Sequence, residues 1–204
     1  MPLLITDPET QKAIIRSRRR LGLDKFDEVW NGVYVMSPLA DDLHQAISLR
    51  LAGILDLLAG LPAGSLVRAG VNLSDRPEAW TKNYRCPDVV VFLPDTTAIN
   101  HGEFWEGGPD FAVEVRSPGD RSRKKLPFYG RVGTRELLII DRKPWALELY
   151  RLDEASTLRS VGKISAGEGE LASEVVPLRF SLRPEGDRPR IVVTHANGQP
   201  VWEI

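Results

Sequence analysis

Two acids, Asp88 and Glu114, interrupt stretches that are otherwise apolar. Asp88 follows Pro87 and opens Val89-Val90-Val91-Phe92-Leu93, while Glu114 lies inside Phe111-Ala112-Val113-Glu114-Val115. A carboxylate in a buried strand is costly unless it is paired or bound to a metal. If the two strands are sheet neighbours, the carboxylates converge at one end. Hard oxygen ligands that leave positions for water are what Mg²⁺ takes, and Mg²⁺ suits phosphate chemistry. Each acid also has a plainer reading: Asp88 as a strand-start or turn acid, Glu114 as the partner of a core-facing arginine. Arg116 follows Glu114 by two residues, so on a strand both side chains point the same way. Its guanidinium can grip a phosphate but cannot serve as a base. The stretch from Ser117 to Lys125 then brings four cations, Arg121, Arg123, Lys124 and Lys125, close to the two acids. Such a cluster is either a local site for a phosphate backbone or a solvated loop and helix start.

The rest of the composition limits what these residues can belong to. The chain has 204 residues, 42% hydrophobic and 27% charged, enough for one well-packed core. Its 27 Lys and Arg nearly balance 28 Asp and Glu, which excludes a protein that coats nucleic acid by charge alone. Any nucleic-acid contact must come from a local patch. Cys86 is the single cysteine, so no internal disulfide forms, and a cytoplasmic location is expected. The opening MPLLITDPET lacks a signal-peptide pattern, and no apolar run reaches about 18 residues, so no membrane partner is expected. His44, His101 and His195 show no metal-ligand spacing, which sets aside zinc held by His and Cys clusters.

The elements that must position the acids can be read from periodicity. Thr6-Asp7-Pro8-Glu9 is a helix start, and the helix should run to about Arg20 and close at Gly22. Its basic end, Arg16, Arg18, Arg19 and Arg20, suits the helix dipole and reads as solvated. Asn31-Gly32 between two apolar-rich runs signals a hairpin over Phe26–Met36. Leu43, Ile47, Leu51, Ile54, Leu55 and Leu58 recur at helical spacing, giving a core helix from Asp41 to about Leu58, ended by Gly60 and Pro62. Leu66 to Leu73 reads as a strand. Val89–Leu93, Phe111–Val115 and Glu136–Asp141 read as strands buried on both faces. Between the last two, Asp120–Val132 is long enough for the helix of a βαβ crossover, with Pro127 in its first turn. Ala146–Leu152, Thr157–Ile164, Ile191–Thr194 and Val201–Ile204 read as later strands.

Taken in order, Glu28-Val-Trp-Asn-Gly32, Met36-Ser37-Pro38, His44, Pro87-Asp88-Val89-Val90, Glu114-Val115-Arg116-Ser117-Pro118, Lys125-Leu-Pro-Phe-Tyr129, Gly133, Glu136 and Asp141 resemble a known family. It is the Uma-two family of restriction-endonuclease-like proteins, within the PD-(D/E)XK nuclease superfamily. The likeness runs from about Phe26 to Leu152. It implies a mixed β-sheet flanked by helices, an α/β (α+β) fold with an additional C-terminal β segment. The chain is then one domain, 1–204, with a core at about 26–152 and a strand extension at about 155–204. That extension leaves room for a homo-oligomer interface or a sheet extension, where Trp202 would pack.

The resemblance implies an endonuclease that hydrolyses phosphodiester bonds in nucleic acid, DNA first, with Mg²⁺ or alternatively Mn²⁺. Asp88 matches the motif's aspartate and Glu114 its second acid. The motif's usual lysine falls at Arg116, where this chain departs. The lysine role then moves to the following helix and Lys125, with Lys124 as competitor, to orient or activate the attacking water. Glu28 resembles an early acid that helps hold metal or water. Arg116, Arg121, Arg123 and Lys124 would grip the backbone. His44 either approaches a phosphate or is a satisfied helix histidine, and Tyr129 and Asp141 are taken as structural. Two other classes remain open: a non-catalytic binding or protein-interaction module on the same fold, and a metal-dependent enzyme with another substrate.

Overall fold

Runs buried on both faces must lie inside a sheet covered on both sides, and Val89–Phe92, Phe111–Val115 and Glu136–Arg142 do so. The computed structural model describes residues 7–37, 40–60, 64–117 and 121–204. Of the expected features, Thr6, Pro38, Pro62 and the Pro118-Gly119-Asp120 stretch lie outside the described residues.

The first half of the chain holds helix α1 (Pro8–Arg20), strands β1 (Glu28–Trp30) and β2 (Val33–Val35), helix α2 (Asp42–Leu55), and strands β3 (Leu66–Ala69), β4 (Leu73–Ser74), β5 (Tyr84–Arg85) and β6 (Val89–Phe92). It continues with β7 (Ile99–Asn100), β8 (Trp105–Glu106) and β9 (Phe111–Val115), then helix α3 (Leu126–Arg131) and β10 (Glu136–Arg142). The last strands are β11 (Trp145–Leu152), β12 (Leu158–Ile164), β13 (Glu170–Ala172), β14 (Leu178–Arg183), β15 (Arg190–His195) and β16 (Val201–Glu203).

The central sheet has the order β12-β11-β10-β9-β6-β3 and is mixed: β9 and β10 run parallel, and the other neighbours run antiparallel. The parallel pair is joined by the expected crossover. Its helix is shorter than Asp120–Val132, a 3₁₀ turn over Ser122–Lys125 that passes directly into α3. Pro127 has no N–H to donate, so the regular helix can only begin around it.

Alternation along the central strands divides the core in two. Val89, Val91, Phe111, Val113, Val115, Leu138 and Ile140 pack with α2 and with the apolar faces of β14 and β15. Val90, Phe92, Ala112, Leu137 and Ile139 face the other way, against Leu73, Trp105, Phe128 and Tyr129. A second sheet, β2-β1-β5-β4-β8-β7, supplies Leu73 and Trp105 to that face, and a third, β13-β14-β15-β16, lies under the first face. Trp202 packs, partly buried, against this same core.

Several expected elements hold with altered bounds. Asp7 caps α1 by accepting from the Thr10 N–H at 2.7 Å, and Asn31 and Gly32 both take positive φ in the tight turn between β1 and β2. The core helix α2 is capped by Asp41 and passes at Asp56–Gly60 into a π-helical turn. The expected strand over Leu66–Leu73 is corrected: it divides into β3 in the central sheet and β4 in the second sheet. Gly70 turns the chain between them with φ +64, and a side chain there would collide with the Phe26 ring. Among the described residues no helix is long and apolar enough to cross a membrane.

Candidate active site

β6 and β9 are antiparallel neighbours with Val89 opposite Val113. Extending that register one residue sets Asp88 opposite Glu114. The Asp88 N–H donates to Val113 O at 3.1 Å, and its carboxylate accepts from the Val115 N–H at 2.6 Å. The two acids read from the sequence are therefore side by side at one end of the central sheet.

Glu114 is buried, and one helical face among the described residues supplies it with partners. Ser122, Lys125 and Tyr129, spaced three and four residues apart, all reach it from the crossover. The Lys125 ammonium lies 2.9 and 3.0 Å from the two carboxylate oxygens. The Tyr129 hydroxyl donates to Glu114, and Ser122 Oγ lies 3.5 Å away. Burial first, and the negative charge of Glu114 next, push the Tyr129 phenol well above its ordinary value, so it stays a donor. Among the described contacts the cation on Glu114 is thus a lysine, where the plainer reading had a core-facing arginine.

Glu28, the first residue of β1, joins the same cluster. Its Oε1 is 2.9 Å from Lys125 Nζ and accepts from the Cys86 N–H at 2.8 Å, while Oε2 accepts from Trp30 Nε1 at 2.6 Å. Lys125 therefore bridges two buried carboxylates. Burial of the neighbouring Cys86 thiol, reinforced by Glu28, pushes its pKa far up, which makes it an inert core group.

Asp88 is less enclosed, and its second oxygen meets His44. His44 Nε2 is 2.8 Å from Asp88 Oδ1, and Nδ1 is 3.2 Å from Ser117 Oγ. His44 is thus brought to the acid pair from α2.

The arginines fare differently. Arg116 and Arg123 both pair with Asp141, and Arg123 also forks onto Glu148 at 2.7 and 3.0 Å. Burial pushes the Glu148 carboxyl upward, but bonds from Arg123, Lys163 and Tyr150 outweigh it and bring the carboxyl down to about 2. Lys124 is exposed and Arg121 half-buried, neither in contact with the acid pair among the described contacts. So the fold brings together Glu28, Asp88, Glu114, Lys125 and His44, and ties Arg116 and Arg123 into a neighbouring charge network.

Sequence reasoning missed the roles of Ser122, Tyr129, Ser117 and Arg142 here. For the first two a signal existed, since both share Lys125's helical face. Ser117 and Arg142 gave none, because their contact arises only from the fold.

Whether this donor set suits a hard divalent ion can be judged from its chemistry. Among the described residues no group of three or more His, Cys, Asp or Glu side chains could hold a metal by itself. Two carboxylates at facing positions of neighbouring strands, one of them partly exposed, fit instead the way Mg²⁺ is commonly held, by one or two protein carboxylates with water and substrate phosphate completing its shell.

A family model described as Uma2, "putative restriction endonuclease", matches residues 23–185. The chain belongs to this family. Among solved structures, the Uma2 chain is similar to a "putative nuclease" of the DUF820 family from Anabaena variabilis, with a TM-score of 0.58 and 14% identity. That likeness covers 72% of this chain and 80% of the other, and the fold is restriction-endonuclease-like. None of the curated proteins matches the sequence.

Proposed function

We propose that this Uma2 family member is a Mg²⁺-dependent endonuclease that hydrolyses phosphodiester bonds in DNA, with Mn²⁺ able to replace Mg²⁺. The observation that carries the reading is the side-by-side Asp88 and Glu114 with Lys125 2.9 Å from Glu114. It is supported by the family description and by the general use of divalent metals among restriction-endonuclease-like proteins.

In this reading Asp88 and Glu114 hold the ion. When bound, it would lower the pKa of a water and neutralise charge developing on the phosphate. Lys125 orients the attacking water or the scissile phosphate, and Glu28 fixes the ammonium from its other side. Tyr129 and Ser122 hold Glu114 in one rotamer, which keeps the acid pair preorganised. Lys124 and Arg121 meet the backbone, with Arg116 and Arg123 as further phosphate contacts and His44 at the edge of the acid pair. In this reading the chain acts as one domain, 1–204, which is supported by the apolar core that the third sheet shares with the central sheet.

One observation favours a second reading, a non-catalytic nucleic-acid-binding or interaction module. Lys125 lies 2.9 Å from both Glu28 and Glu114, so each buried carboxylate already has a cationic partner without a metal. The test is incubation with plasmid DNA, single-stranded DNA, RNA and a small aryl phosphodiester, each with Mg²⁺ or Mn²⁺. Metal-dependent cutting of DNA supports the proposal. Turnover of the small ester alone points to another substrate class, and no turnover of any substrate favours the module.

A further inference from the structure

We infer that His44 is a positioning residue that holds Asp88 in place, itself fixed by a closed ring of contacts from Asp41 through Arg142 and Ser117. The inference rests on the reading of Asp88 as a metal-holding acid.

The ring of contacts begins at the helix cap. Asp41 accepts from the His44 N–H at 2.9 Å, which fixes the start of α2 and the backbone that carries His44. The same carboxylate takes a two-pronged bond from Arg142 at 2.7 and 2.9 Å, which holds its pKa down to about 2. Arg142, at the end of β10, also donates to Arg116 O at 3.0 Å and to Ser117 Oγ at 3.3 Å. One side chain thus ties α2, β10 and the segment after β9 together at the mouth of the acid pair.

A guanidinium only donates, so Ser117 Oγ accepts from Arg142. The same oxygen lies 3.2 Å from His44 Nδ1, and His44 Nε2 lies 2.8 Å from Asp88 Oδ1, so both ring nitrogens are engaged and the ring is fixed between the two. The other Asp88 oxygen is held by the Val115 N–H. Both Asp88 oxygens are thereby oriented. Outer partners of metal-holding carboxylates typically matter by about 10- to 100-fold in affinity or activity.

Mn²⁺ titration of the full-length protein is the test. His44→Phe should weaken Mn²⁺ binding about 10- to 100-fold, and His44→Gln, which retains an amide donor, should recover part of it. Unchanged Mn²⁺ affinity in His44→Phe when Asp88→Asn loses binding overturns the proposal. If Asp88→Asn itself binds Mn²⁺ normally, the underlying metal assignment fails first, and the ring of contacts loses its role with it.

Discussion

Lys125 donates to both carboxylate oxygens of Glu114, at 2.9 and 3.0 Å, from a helix that reaches the strand across the crossover. The ammonium also lies 2.9 Å from Glu28. Removing it leaves two buried carboxylates facing one another. Lys125→Met should therefore cost about 3–5 kcal/mol of stability, the scale for breaking a buried pair, and abolish cleavage. Denaturant unfolding reads the first effect and DNA cutting the second. Adding Glu114→Gln to Lys125→Met should restore part of the stability and none of the activity.

Tyr129→Phe removes one hydroxyl from a fully buried ring. The loss should be about 1–3 kcal/mol, as for a hydrogen bond to a charged acceptor. Apparent metal affinity should fall as Glu114 gains rotamer freedom, which Mn²⁺ titration measures.

Alkaline stability follows from the phenols. Tyr34, Tyr84, Tyr129 and Tyr150 are all raised by burial, Tyr84 to about 12. The folded state then holds protons that the unfolded chain releases near pH 10. Stability from these groups is complete below that pH and is lost as pH climbs toward the folded values. Ultraviolet titration should find almost no tyrosinate in the native protein at pH 10, and thermal stability should fall from there upward.

The acid limb is opposite in sign. Glu148 is held at about 2 by Arg123, Lys163 and Tyr150, so its contribution is present above the unfolded carboxyl range and lost as pH falls toward 2. Glu148→Gln should be less stable than the wild type at neutral pH and lose less on acidification, as chemical unfolding between pH 7 and pH 3 will read.

Cations that are already paired should contribute differently from those that are exposed. Arg123 is shared between Asp141 and Glu148, whereas Lys124 is exposed. Lys124→Ala should weaken binding evenly across DNA sequences and reduce the salt slope by about 1. Arg123→Ala should act mainly on stability. Salt-dependent binding and unfolding measured on both variants separate the two outcomes.

How much of this was legible in the sequence depended on the range of each interaction. Unbroken apolar runs made β6, β9 and β10 readable, and the same runs made Asp88 and Glu114 conspicuous. Asn31-Gly32 announced its turn through local backbone preference. β14 carried a readable alternation as well, with Leu178, Phe180 and Leu182 buried between Arg179, Ser181 and Arg183, though it was not among the expected strands. In contrast, β5, β7 and β8 are two-residue strands that exist only because neighbours pair with them. His44 meets Asp88 across 44 residues, and Arg142 meets Asp41 across 101, so no local pattern records either contact. Tyr129 lay between the two cases: its face was predictable once Pro127 had set where α3 begins.

The most direct test of the acid-pair site is plasmid cleavage in Mg²⁺ by the wild type, Asp88→Asn and Glu114→Gln, each verified as folded, with chelator controls. Cutting by the wild type that disappears with chelator and in both variants is the predicted result. Undiminished cutting by either variant, or cutting indifferent to chelator, would contradict the assignment of Asp88 and Glu114 as the metal-holding pair.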